Sequence, residues 1–243
     1  MPQRIGKYTI ELPNTPSITG YAAVVGQKEA DGPLGQCFDK SCSDAFFGEK
    51  TFEKAETKMQ KITIETAVKK SGLSKADIQL AFAGDLLNQC IGSSFDMRDL
   101  GFCFAGLYGA CSTMALSLAL AGVFVDSGAV KTALAAASSH FCSAERQYRF
   151  PLEYGGQRTP ASQWTVTGAG AAVVSESKEN TPHIEKVIFG SVRDLGITDV
   201  NNMGAAMAPV NVKLRPYRKG MVYLHKTIQK GEYIITIKLV TGL

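Results

Sequence analysis

At 243 residues, 45% hydrophobic and 20% charged, the chain has the composition of a soluble globular protein with enough length to bury a substantial core. Its formal charge of +4 is uneven: residues 211–243 hold Lys213, Arg215, Arg218, Lys219, Lys226, Lys230 and Lys238 against Glu232 alone, which makes that segment +6 and leaves residues 1–210 at −2. A body of that charge gives nucleic-acid binding little electrostatic support, and no nucleic acid is expected as a partner.

The opening MPQRIGKYTIEL lacks the apolar run of a signal peptide, so synthesis in the cytoplasm is expected. Cys37, Cys42, Cys90, Cys103, Cys111 and Cys142 should then stay reduced. No metal is expected, because Cys37 and Cys42 have no second pair at finger-like spacing and the histidines lie far apart.

In chain order, ITGYAAVVG at 18–26 is β-branched and apolar and predicts a buried strand. Phe52, Ala55, Met59, Ile62 and Thr66 recur at three- and four-residue spacing and predict an amphipathic helix over 50–71. Lys69 and Lys70 suit its negative end, and Gly72 is a natural stop. Ser74 with Asp77 resembles a short capping box ahead of a strand at 78–84. Gly101 to Val125 contains no charged residue and is long enough to cross a bilayer. Its glycines, its Ser/Thr content and the Tyr108-Gly109 break instead predict a strand at 102–106, a turn, and a helix at 111–125 apolar all the way round. Such a helix belongs between two sheets. Strands follow at 130–138, 168–176 and 183–192, with a polar, arginine-rich loop at 143–163. Strands alternating with helices imply an α/β fold with a mostly parallel sheet covered on both faces.

Two stretches bear chemistry. Cys111 opens the apolar helix, where the macrodipole and free backbone N–H groups favour thiolate and could hold an oxyanion or carboxylate. The plain alternative is a small core residue. The segment 138–164 sets His140, Arg146, Arg149 and Arg158 among Tyr148, Phe150, Tyr154 and Trp164. Arginines beside aromatic rings suit planar, anionic ligands, unless they form a solvated loop paired with Glu145 and Glu153. Asp85, Asn88 and Gln89, after a strand end, are candidates to line the same cleft.

GACSTMALSLALA at 109–121 resembles the nucleophile helix of thiolases and ketoacyl synthases, and AGDLLNQ and MGAAMAP fit the same fold. GYAAVVGQKEADGPLG, AGDLLNQCIGSSF, SSHFCSAERQYRFPLEYGGQRTPASQWTVTGAGA and NNMGAAMAP together resemble the stage V sporulation protein AD family across residues 1–209. That resemblance implies a thiolase-like, layered α-β-α-β-α fold of two related halves, the first complete here and the second largely missing. It implies binding of dipicolinic acid, in connection with its calcium chelate, and uptake of that acid into the developing spore. The implied partners are the other stage V A sporulation proteins, with peripheral attachment at the spore inner membrane, homodimerisation usual for the fold, and no cofactor. The ligand-binding candidates are Cys111, His140, Arg146, Arg149, Arg158 and Asp85. No catalytic turnover is expected, since the half of the fold that supplies the partner histidine is missing. Two alternatives stay open: an acyltransferase using Cys111, and a non-binding scaffold of the complex.

After Pro209 the resemblance stops, and residues 211–243 read as a divergent basic tail from a shifted reading frame or disrupted gene. Apolar faces left bare by a missing half are expected to lower solubility. The alternative for the tail is a β-hairpin, because YIITIKLV at 233–240 has strand character.

Overall fold

The computed structural model describes residues 1–148, 165–190, 193–194, 196, 198, 221–229 and 232–236, with side chains placed to residue 144 except at 88, and again over 165–190. One six-stranded sheet is built from β3 (Ser17–Gly26), which runs into the single turn α1 (Gln27–Ala30), and from β4 (Lys40–Cys42), β5 (Leu80–Gly84), β6 (Phe104–Gly106), β7 (Thr132–Ser139) and β8 (Gly168–Ser175). Its order is β4-β3-β8-β7-β5-β6. It is mixed rather than mostly parallel: β8 runs against both its neighbours, β3 and β7, while the remaining pairs are parallel.

The period-two alternation of these strands assigns each face its helix. Ala81, Ala83, Leu134, Ala136, Ala171 and Val173 turn to one side, where α2 (Phe52–Ser71) packs with Ile64, Ala67 and Val68 and α3 (Ile91–Leu100) packs with Met97. Phe82, Ala133, Ala135, Ala172 and Val174 turn to the other, against α4 (Thr113–Asp126). The small alanines let both helices lie close to the sheet. On its far side α4 meets Val187 of a second sheet together with Leu12 and Ile184, which flank that sheet's strands. A Cβ at Gly122 would stand 3.2 Å from the side chains of both Ile184 and Leu12, so the helix backbone itself is part of that contact. The layers are thus helix, sheet, helix, sheet, and the uncharged 101–125 run is divided between β6, a turn and this buried helix. No helix among the described residues is long and apolar enough to cross a membrane.

The second sheet joins distant parts of the chain in the order β1 (Gln3–Arg4), β2 (Thr9–Glu11), β9 (Lys186–Phe189), β11 (Met221–Gln229) and β10 (Arg193–Asp194), with β12 (Glu232–Thr236) on β11. β1 and β2 are antiparallel, and β2 pairs antiparallel with β9. β11 runs parallel to β9 and to β10, and β12 returns along β11 as a hairpin. β12 takes in the first four residues of YIITIKLV, and 237–240 lie outside the described residues.

Local signals act where the sequence puts them. Thr51 caps α2 by accepting from the Lys54 N–H, and Gly72 ends it in the left-handed region. Ser74 and Asp77 form the capping box around a 3-10 turn at 75–77. The expected loop at 143–163 begins as α5 (Phe141–Tyr148), and its later residues lie outside the described ones.

Candidate functional site

The sheet's β5 and β6 end together, and the loops that follow them form the surroundings of Cys111. Leu107 continues the pairing, its N–H donating to the Ala83 carbonyl at 2.8 Å. The chain then crosses directly over Gly84: a Cβ there would fall 1.9 Å from the Leu107 carbonyl oxygen and 2.7 Å from Thr113 Cγ2. Only glycine permits that crossing. Beyond it, Ser112 donates from its N–H and hydroxyl to the Gly109 carbonyl at 3.0 and 2.7 Å, and Gly109 N–H donates to Thr113 Oγ1 at 3.2 Å. Ala110 is forced to a φ of 47°.

The opposing loop, 85–91, is organised by Asp85. One carboxylate oxygen accepts from the Leu87 N–H at 2.9 Å, and the other from the N–H and hydroxyl of Ser93 at 2.7 and 2.6 Å. These bonds close the loop onto the first turn of α3 and leave Gln89 and Cys90 at φ values of 62° and 53°. Cys90 donates to the Leu107 carbonyl at 3.2 Å, and the Tyr108 hydroxyl to the Leu86 carbonyl at 3.4 Å. Three non-glycine residues in the left-handed region thus lie in two loops tied to each other. At about 1 kcal/mol or more each, that is strain the packing beneath must offset.

Cys111 lies in a 3-10 turn, Ala110–Ser112, and α4 starts only at Thr113. This corrects the expectation of a thiolate favoured by the helix terminus. The side chain is open to solvent at one end, yet its surroundings are crowded enough that desolvation pushes the thiol above the ordinary cysteine range. The one opposing influence is its own backbone N–H. Cys90 is likewise pushed up, by burial and then by the Asp85 charge.

The other sequence candidates are distributed as follows. Asp85 is buried, and its oxygens are taken up by the loop they organise. His140 is fully buried, stacked between Phe52 and Phe141 at 5.1 Å from each. Its Nδ1 accepts from the Cys142 N–H at 3.3 Å, so Nε2 bears the hydrogen that meets the Ala45 carbonyl at 2.8 Å. Arg146 belongs to α5, with its side chain outside the described residues, as Arg149 and Arg158 are entirely. Gln89 is exposed at the rim.

A buried polar group escaped the sequence reading. Glu56 and Gln60, one turn apart on α2, are both wholly buried. Glu56 accepts from the hydroxyls of Ser138 and Ser143 at 3.0 and 2.8 Å. Gln60 Nε2 lies within hydrogen-bonding distance of Ser138 Oγ at 3.2 Å, Ser93 Oγ at 3.1 Å and the Gly84 carbonyl at 3.3 Å. The available signal was a carboxylate and an amide beside the stripe of Ala55 and Met59, which a periodicity count treats as solvated positions.

Comparison with known proteins decides the family. The family model described as stage V sporulation protein AD (SpoVAD) matches residues 6–236, taking in most of the 211–243 segment. The chain belongs to the SpoVAD family. SpoVAD of Bacillus subtilis (strain 168) is 43% identical over 204 residues, covering 84% of this chain and 60% of the relative. The chain therefore spans about three fifths of that SpoVAD's length. Among solved structures, acetamide-bound OleA of Xanthomonas campestris aligns with a TM-score of 0.53 at 12% identity, over 92% of this chain and 97% of that one. A variant of the same OleA gives 0.51 with the same identity and coverage. At such identity these matches speak for the fold alone, and the SpoVAD-family chain has the α/β thiolase-like fold that the Cys111 helix motif implied.

Proposed function

We propose that this SpoVAD-family chain is a binding protein of the sporulation stage V A machinery, without catalytic turnover, whose ligand is dipicolinic acid. In this reading it takes part in uptake of the acid, in connection with its calcium chelate, into the developing spore. It does so as a peripheral component at the spore inner membrane, together with other stage V A proteins. The observation that carries the proposal is the state of Cys111: a thiol raised by desolvation, with its own N–H the only group among the described residues that favours thiolate. Acyl transfer needs the opposite, a thiolate prepared by a base or a full helix terminus. For a flat aromatic diacid the chain offers Tyr108, half exposed and three residues before Cys111, between two loops that hold strained residues, and the arginines Arg146, Arg149 and Arg158 of the neighbouring sequence as partners for two carboxylates.

The test is calorimetric titration of dipicolinate into the full chain, with and without calcium, alongside incubation with an acyl-CoA and peptide mass analysis. Saturable heat, lost when Arg146, Arg149 and Arg158 are changed to Ala and unaccompanied by a Cys111 adduct, is the expected result. A stoichiometric acyl adduct on Cys111 would replace binding with transfer. Absence of heat from a folded sample would favour the scaffold reading.

A further inference from the structure

The buried group beneath the site is a continuous relay rather than a set of separate contacts. Its order follows from donor and acceptor capacity. Ser143 on α5 and Ser138 at the end of β7 both donate to Glu56; Gln60 stands between Ser138 and Ser93; Ser93 donates to Asp85. Each serine gives its single hydrogen to a carboxylate, so each can accept from the Gln60 amide. Gln60 Oε1 has no hydrogen-bond partner among the described residues, so the amide enters the group as a donor, facing the two serines and the Gly84 carbonyl. One end of the relay is the foot of α5, and the other is the loop that touches the Cys111 turn.

We propose that Glu56 is a proton-operated latch on α5: its carboxylate clamps Ser138 and Ser143 together, and uptake of a proton there loosens the helix that leads into the arginine-rich segment. A carboxylate accepts both bonds with a full charge. A carboxyl group must donate one bond and can accept only a neutral one, which is a weaker hold. Ser143 then has an alternative acceptor within its own turn, the His140 carbonyl at 3.2 Å. The latch operates whether or not the chain binds dipicolinate.

The groups facing Glu56 favour such a proton. Asp85 at the end of β5 and Glu53 on α2 both repel the charge. β3, β7 and β8, which pack on α2, direct no charged side chain at it, since Tyr21 of β3 lies on the outer surface. From α3, Asp96 is turned towards Lys61 and Glu65 instead. The His140 ring is engaged by the Cys142 N–H at Nδ1 and the Ala45 carbonyl at Nε2; the Glu145 and Arg146 side chains of α5 are outside the described residues. Desolvation, the largest influence, raises Glu56 to about 7 against the two serine bonds. The latch is therefore closed above neutrality and open below it.

Hydrogen–deuterium exchange on the full chain tests this at about pH 6 and about pH 8, after correction for intrinsic rates. Peptides spanning 141–148 should lose protection by roughly five- to tenfold at the lower pH, while α4 peptides hold theirs. Glu56→Gln should show the low-pH level at both. Should that variant not fold, Ser143→Ala carries the test, with protection lost at the higher pH alone. An α5 profile indifferent to pH in the unmodified chain would overturn the latch, as would one that responds to pH equally in the variants.

Discussion

Asp96 on α3 is wholly buried, and neither carboxylate oxygen has a hydrogen-bond partner among the described residues. Desolvation is the largest influence on it, opposed by Lys61 and Lys75 and reinforced by Glu65 and Asp99, and the outcome is a midpoint of about 7 against an ordinary 3.8. The folded state thus holds a proton that the unfolded chain gives up. Its stabilising effect is complete below the unfolded value and is lost as pH rises through the folded one. A gap of about three units amounts to about 4 kcal/mol as a ceiling. Between about pH 5.5 and about pH 8.5 only the upper part of that range is traversed, leaving about 2 kcal/mol. Asp96→Asn keeps the shape and cannot ionise. Urea unfolding of both proteins at both pH values should therefore show the variant gaining about 2 kcal/mol on the parent at the alkaline end. Glu56 titrates in the same window but is present in both proteins, so it cancels from the difference. If that difference is the same at the two pH values, the reasoning from burial to proton uptake is wrong.

Gly84→Ala would drive a methyl group into the Leu107 carbonyl, where backbone cannot yield as a flexible side chain does. A loss of about 2–3 kcal/mol is expected by thermal or urea melting, and unchanged melting would refute the close crossing. For Cys111, alkylation by iodoacetamide should still be accelerating at pH values where an ordinary cysteine has levelled off. Peptide mass spectrometry that instead found it the fastest of the thiols, with a plateau near neutrality, would refute the desolvated state.

The parts of the fold legible in sequence are those specified locally. α2 carried its stripe, its stop at Gly72 and its terminal lysines, and α4 announced its place between two sheets by having no polar face. What was not legible depends on partners far along the chain. α3 begins Ile-Gly-Ser-Ser, a poor helical start, and exists because Asp85 caps Ser93 from across a loop. β1 and β2 are too short to signal anything alone, and the reversed direction of β8 is a property of the sheet. At the site, sequence found Cys111 and the turn but placed the helix start two residues early, and it gave no sign of the desolvation that raises the thiol. It missed Glu56 because burial of a carboxylate is visible only once Ser138 and Ser143 are seen converging on it.

The second sheet has a consequence for how this protein is made. β2, at residues 9–11, finds its partner only at 186–189, and that strand is itself flanked by 221–229. Ribosomes extend a chain at about 5–20 residues per second, so β2 emerges on the order of 10 s or more before β9 exists to receive it. During that interval Leu12, which ends up wholly buried in the cluster that includes α4, is an apolar side chain still without Val187 of the same cluster. Chaperone shelter of the β1–β2 segment during translation follows as a requirement of this long-range pairing.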